Sequence, residues 1–352
     1  MKSNIKSLSK EDLTNFILRK NYPRYRAEQI FDWIWKKGIK SFRDMKNIPV
    51  KLISDIEIDF EFHEFFINKI QKSKDNTIKV AFKLFDGLLT EGVLIFAETR
   101  RTACISVQTA CPLKCTFCAS GNLTDGRNLS FGEIHDQIIC LNNLSIKEKN
   151  APLSNLVFMG IGEPFLNYEN LKKSIHIITS PEILNFSPSR ITVSTAGLTE
   201  KIIHFADENL KTKLAVSLHS ADNLKRTKIM PVNQSNNLTD LKNSIIYFNQ
   251  KTGLPVTLEY LMLSEFNDNI YDAKKLISFC KGLNVKINLI EYNQAGNILF
   301  KPSDKKRIKA FKDTLESYYL IVTIRNSKGA DINAACGQLS ASLAPDNKDN
   351  TQ

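Results

Sequence analysis

The sequence predicts an α/β protein: a partial (β/α)6 barrel, with a small N-terminal helical accessory domain and a short antiparallel β extension ahead of it. Three observations predict it. Strand-like apolar runs at 103–108, 155–159, 190–194, 213–218, 255–263 and 285–291 alternate with helical patterns near 131–144, 169–179, 198–208, 238–251 and 269–282. Repeated βα units of that length argue for a parallel sheet. The first strand is followed by no Rossmann glycine fingerprint, which favours a barrel over a dinucleotide-binding fold. Nearly every strand also runs straight into a short stretch of chemically useful residues, and (β/α) barrels carry their active sites at the C-terminal strand ends.

Residues 1–60 read as the helical domain. Ser9-Lys-Glu-Asp-Leu13 opens one helix with a capping serine and early acids. A second follows Tyr22-Pro-Arg-Tyr-Arg26 and carries Ile30, Phe31, Ile34 and Trp35 at helical spacing. Trp33 and Trp35 are expected in its core. Arg24, Arg26, Lys36, Lys37 and Lys40 form a basic group with two readings, contact with a phosphate backbone or an ordinary solvated face. Residues 61–100 form the β extension, with runs at Phe66–Ile70, Ile78–Leu84 and Gly92–Phe96 and turns at Lys74-Asp-Asn76 and Asp86-Gly87. The barrel with its C-terminal cysteine segment occupies 101–342, ending in a helix near 303–317 and a seventh strand, Tyr319–Ile324. Residues 343–352 read as a disordered tail.

The chain of 352 residues is 42% apolar and 24% charged, the content of an ordinary folded protein. Its polar, basic start has no apolar signal region, and no run approaches the length of a membrane span. A net charge of +11 and a pI near 9.2 favour a polyanionic partner. Seven cysteines clustered round one loop do not suggest a secreted disulfide scaffold.

That loop is Cys111-Pro-Leu-Lys-Cys115-Thr-Phe-Cys118. Soft thiolates on one tight loop suit an iron–sulfur cluster or zinc. A structural zinc site wants a fourth ligand, usually from a second pair, and neither a second CxxC nor an HxxxH spacing exists here. Three cysteines on a 4Fe–4S cube leave one iron open to a small molecule. The CxxxCxxC stretch resembles that of the radical S-adenosylmethionine (SAM) enzymes, in which the open iron chelates SAM and one electron cleaves it to a 5′-deoxyadenosyl radical. An oxygen-sensitive cluster implies the cytoplasm.

Further motifs narrow the resemblance. Cys104-Ile-Ser-Val-Gln-Thr-Ala-Cys111, Met159-Gly-Ile-Gly-Glu-Pro164, Ser217-Leu-His-Ser220, Met230-Pro-Val-Asn233 and Asp331-Ile-Asn-Ala-Ala-Cys-Gly-Gln-Leu339 together look like the RlmN/Cfr family of radical SAM 23S rRNA (adenine) methyltransferases, over roughly residues 10–342. Adenine C2 is too electron-poor to act as a nucleophile towards SAM. The resemblance implies that Cys336 is methylated first, that its methyl group then loses a hydrogen atom and adds to the base, and that Cys104 releases the product by forming a transient disulfide with Cys336. Cys111, Cys115 and Cys118 match the cluster ligands. Glu91 matches the family's proton acceptor, with an exposed strand glutamate as the plain alternative.

Gly162, Glu163, Ser194, Ser217, Leu218, His219 and Asn293 match SAM contacts. Cys140 and Cys280 sit among apolar neighbours and read as core. The family also implies a 23S rRNA substrate methylated at adenosine 2503, tRNA adenosine 37 as a second one, an electron donor such as flavodoxin or ferredoxin, no membrane association and a monomer. Glu163-Pro164 favours the RlmN branch over Cfr, which acts at C8 of the same adenosine. A non-catalytic, cluster-bearing RNA-binding protein would need neither Cys104 nor Cys336 in these contexts. The chain departs from the family pattern at Ala110, Pro112, Ile161, Gly92, Asn333 (usually aspartate) and Gln294-Ala-Gly296. No departure removes a ligand or a thiol, so they bear on substrate fit rather than chemistry.

Overall fold

The computed structural model describes residues 2–123, 125–294 and 300–339. The expected disordered tail and most of the loop after Gln294 lie outside the described residues. In the N-terminal unit, β1 (Ser3–Asn4) pairs in parallel with β2 (Phe60–Glu61), tying its two ends together. Between them run α1 (Lys10–Arg19), α2 (Tyr25–Phe31) and α3 (Val50–Asp59). Ser9 caps α1 through a reciprocal box with Asp12, and α2 widens into a π-helical turn over Asp32–Lys36. Ile17, Ile30, Trp35, Leu52 and Ile56 form its core. Trp35 is buried as expected, whereas Trp33 is only half-buried: its Nε1 donates to Asn47 (2.6 Å) and the Lys37 ammonium lies 3.3 Å from its ring centroid. A polar nitrogen and a cation over the ring hold this indole at the surface.

The β extension is β3 (Phe65–Lys72), β4 (Ile78–Leu84) and β5 (Leu89–Phe96), an antiparallel meander joined edge-on to β6 (Arg101–Cys104). It continues the barrel sheet directly, so β4 is an interior strand buried at nearly every position. One face packs under α4 (Phe131–Lys149), and the C-terminal segment covers the other at Val93, Ala334 and Leu339. Trp35 stacks on Phe131 at 5.2 Å, and the Trp35 carbonyl meets His135 Nε2 at 2.8 Å, so the helical unit docks on that same helix.

From β6 onwards the strands are β7 (Asn155–Phe158), β8 (Ile191–Thr195), β9 (Lys213–Ser217), β10 (Val256–Met262), β11 (Val285–Glu291) and β12 (Val322–Arg325), each parallel to the last and in sequence order. The connecting helices are α4, α5 (Tyr168–Thr179), α6 (Thr199–Glu208), α7 (Asn223–Ile229), α8 (Leu238–Thr252), α9 (Ile270–Cys280) and α10 (Lys305–Glu316). Among the described residues the sheet has ten strands with β3 and β12 at its open edges, a partial barrel. Two local expectations shift. β6 stops at Cys104 because the next turn diverts: the Ser106 hydroxyl bonds the Glu91 carbonyl and accepts from Ile161 N–H. The short α7 has too little apolar periodicity to be read from sequence. No described helix is long and apolar enough to cross a membrane.

Candidate active site at the strand ends

The cysteine loop leaves β6 and folds back on itself. Cys111 N–H donates to the Ser120 carbonyl (3.2 Å), Cys118 N–H to that of Cys115 (3.1 Å), and Thr116 N–H to that of Ile229 at the end of α7 (3.0 Å). The loop walls a cavity of about 160 Å³ at the C-terminal strand ends, shared with Gly162 and Glu163 after β7, Ser194 on β8, and Ser217 and His219 at the end of β9. Among the described residues no three His, Cys, Asp or Glu side chains converge on a point fit for a single ion. Cys111, Cys115 and Cys118 all line this cavity, and three soft thiolates on one loop are a donor set suited to an iron–sulfur cluster.

Gly162 adopts φ +103°, and a Cβ there would meet the Gln108 side chain at 2.6 Å, so only glycine fits. The turn aims Glu163 inward. Its carboxylate accepts from Ala196 N–H (2.7 Å) and Phe165 N–H (3.1 Å), yet burial pushes its pKa up to about 7. An ammonium group in the cavity would restore its charge. His219 has φ 55° and accepts from Leu261 N–H on Nδ1 (3.1 Å), which assigns the proton to Nε2; burial lowers its pKa to about 3 and keeps the ring neutral.

Two matched positions are placed differently. The Leu218 side chain belongs to the hydrophobic core and its backbone is also engaged: its N–H donates to the Glu259 carbonyl (3.0 Å) and its carbonyl accepts from Arg226 (3.2 Å). Asn293 is absent from the described cavity wall, and its amide donates to the Glu291 carbonyl (3.1 Å) and the Ser327 hydroxyl.

Cys104 and Cys336 meet in an adjoining cavity with Cys118, Met159 and Arg325. The Cys336 segment is stitched to the cysteine loop: Ala119 N–H donates to the Gly337 carbonyl (2.8 Å) and the Ser120 hydroxyl to that of Leu339 (3.0 Å). Burial, aided by the neighbouring Cys336, pushes the Cys104 thiol up to about 12. Glu91 lies outside both described cavity walls. It is fully buried, which rules out the exposed-strand alternative, and its carboxylate sits 3.3 Å from the ammonium of the equally buried Lys79. Cys280 is core, while Cys140 is only partly buried against it.

Three residues of this region had no signal in the sequence reading. Arg226 is fully buried, and its guanidinium donates to the carbonyls of Ala196 (2.6 Å), Ser217 (3.2 Å) and Leu218 (3.2 Å), clamping the strand ends that shape the cavity. Arg325 lines both cavities and approaches the Met159 sulfur (3.6 Å); its positive charge is reinforced first by Cys336. Glu259 lines the main cavity, and Asn288 donates to one of its oxygens (3.0 Å). Isolated charged residues on a short helix (Arg226) or on apolar strands (Glu259, Arg325) carry no motif, so only the fold finds them.

A family described as "Ribosomal RNA large subunit methyltransferase N-terminal domain" matches residues 3–57, and the radical SAM superfamily matches residues 105–277. The chain is 44% identical to a "Probable dual-specificity RNA methyltransferase RlmN" of Cytophaga hutchinsonii over 95% of this chain and 92% of that one. A protein of the same name from Thermotoga neapolitana is 43% identical over 96% and 97%. The crystal structure of a radical SAM methyltransferase from Sphaerobacter thermophilus superposes with a TM-score of 0.90 at 34% identity, covering 96% of this chain and 99% of that one.

Proposed function

The chain belongs to the RlmN family of radical SAM RNA methyltransferases, and from that premise we propose that it methylates C2 of adenosine 2503 in 23S rRNA and of adenosine 37 in tRNA, through a methylcysteine on Cys336. The observation that carries the reading is the meeting of Cys104 and Cys336, 232 positions apart by subtraction, in one cavity beside the cysteine loop. Cys111, Cys115 and Cys118 would hold the 4Fe–4S cluster, and the donor set fits: three thiols on one loop, with free space next to them. The bound cluster and SAM supply a methyl group and, after one-electron cleavage, a hydrogen-abstracting radical.

The chain's own residues do the rest. Glu163 faces the cavity as the partner of the SAM ammonium, while Ser194, Ser217 and His219 Nε2–H offer hydrogen bonds to its polar groups; Leu218 supports His219 from behind the wall, and Asn293 would join the set only by turning its amide away from Ser327. Cys336 accepts the methyl group and carries the resulting carbon onto adenine C2. The family match gives the displaced ring proton to Glu91, whose carboxylate, buried behind the Lys79 ion pair and off both cavity walls, has to be reached by a local opening. Cys104 then attacks the Cys336 sulfur, which frees the methylated base and leaves a disulfide for later reduction. A target base has to be unstacked for chemistry on a ring carbon, and the +11 charge suits the RNA backbone. The reading carries with it a cytoplasmic monomer fed by flavodoxin or ferredoxin. The test is nucleoside mass spectrometry of rRNA and tRNA incubated anaerobically with the reconstituted protein, in which 2-methyladenosine is the expected product.

Two predictions follow from individual side chains. Glu163 binds an ammonium only as a carboxylate, and its pKa is raised to about 7. SAM affinity is therefore expected to be full above that pH and to weaken as the pH falls through it, by at most about tenfold per unit. Calorimetric titration between pH 8 and 6 checks this, and Glu163→Gln should bind weakly with no such slope. Glu91→Gln is expected to leave methylcysteine formation intact and to slow release of the base by roughly 10²–10⁴. Release at an unchanged rate would make Glu91 a structural partner of Lys79 alone.

A further inference from the structure

The segment that carries Cys336 has little structure of its own. Between β12 and Leu339 the described chain forms a single short 3-10 turn, Ala330–Ile332. It must nevertheless present one sulfur to two successive partners. The cysteine loop holds its end at Gly337 and Leu339, and the β3–β4 hairpin holds its first half. At the turn, Asp75 accepts from Gly329 N–H (3.0 Å) and Asp331 accepts from Lys74 N–H (3.1 Å) and the Ser73 hydroxyl. The packing leaves no slack, since a Cβ on Gly329 would meet Ala334 at 2.8 Å and Thr77 at 2.9 Å.

Deeper in, Lys79 on β4 is 1% exposed and reaches the Asn333 carbonyl (3.3 Å) as well as the Glu91 carboxylate (3.3 Å). Lys79 is the cross-strand neighbour of Val93, and Val93 is in turn the neighbour of Cys104. One ammonium thus ties a carbonyl three residues ahead of Cys336 to the strands that carry Cys104. A buried ion pair is a poor source of stability compared with packed apolar side chains, and its attested use is to fix one geometry.

We propose that Lys79 is the positioning residue of Cys336: acting through the Asn333 carbonyl, with Glu91 balancing its charge, it fixes the thiol within reach of Cys104, while the Asp75 and Asp331 contacts anchor the start of the segment. This rests on the reading of Cys104 and Cys336 as the two reacting thiols. The hairpin is then part of the active site's support, not a spacer between the helical unit and the barrel. Misplacement of a reacting group by about 1 Å is enough to cost a hundredfold in rate.

The experiment equilibrates the full-length, anaerobically reconstituted protein in glutathione buffers and follows the Cys104–Cys336 disulfide by peptide mass spectrometry, which needs no turnover. Alkylation of Cys280, buried in the core, reports global unfolding. Lys79→Met with Glu91→Gln removes both buried charges together, and is expected to lower the effective concentration of the thiol pair about ten- to a hundredfold without exposing Cys280. Lys79→Arg, which keeps a cationic donor, is expected to recover most of it. Asp331→Ala, an exposed position, tests the other anchor should the buried pair prove essential for folding, and is expected to weaken pairing about tenfold. Unchanged pairing in the double variant or, if that fails to fold, in Asp331→Ala, overturns the proposal. Absence of pairing in the unaltered protein would instead remove the two-thiol reading on which it rests.

Discussion

Cys336→Ala is expected to abolish methyladenosine formation, by at least about 10⁴, while the protein folds and binds RNA as before. On the proposed route the methyl group reaches the electron-poor ring carbon through this sulfur, so its loss removes the carrier itself rather than a helper. The structural cost is small. The segment is held through the Gly337 and Leu339 carbonyls and the Gln338 side chain, which donates to the Gln294 carbonyl (3.0 Å), and none of these contacts uses the sulfur. Half-exposed, the Cys336 side chain contributes on the order of 1 kcal/mol or less to stability. Mass spectrometry of nucleosides paired with a gel-shift assay separates the two effects. Methylation at more than a trace level would show that carbon does not pass through Cys336.

Cys104→Ala is expected to stop the reaction one step later. In the proposed sequence, methylation of Cys336 and attachment to the base do not require the second thiol, but release does. The variant should therefore accumulate a covalent protein–RNA species, visible on a denaturing gel and removed by nuclease, while free product falls by roughly 10³ or more. Cys104 is poorly disposed to act alone: buried at the end of β6, its thiol is pushed up to about 12. The Arg325 charge in the same cavity works in the opposite direction, favouring the thiolate. An absence of adduct, with product lost, would mean that Cys104 acts before the base is attached.

The barrel was legible because its signals are local and repeated. Apolar strands 155–159, 213–218 and 285–291 lie within a residue or so of β7, β9 and β11, and the rim motifs fall where parallel strands must end. The cysteine loop, Gly162 and Glu163 were legible as motifs with a chemical reason for their spacing. What the sequence withheld depends on long-range pairing. A three-strand run at 65–96 does not say that it extends the barrel sheet, and so Glu91 read as a base near the barrel mouth or as an exposed strand residue, and its burial against Lys79 was not legible. Lys79 and Arg226 look like surface residues in any local window, because the hydrogen-bond partners that make their burial tolerable come from distant segments. Asn293 shows the converse: a motif match fixes its place at a strand end, while the direction of its amide depends on Ser327 in another loop.

The most direct test of the central claim is the identity of the modified nucleoside. Ribosomal RNA lacking the modification would be incubated anaerobically with reconstituted protein, a reductant and SAM bearing a labelled methyl group, then digested and analysed by mass spectrometry against authentic standards. The predicted result is labelled 2-methyladenosine. Labelled 8-methyladenosine would contradict the assignment to ring carbon C2 and move the chain to Cfr-type chemistry. No labelled adenosine from a fully cluster-loaded protein would contradict the RNA substrate itself.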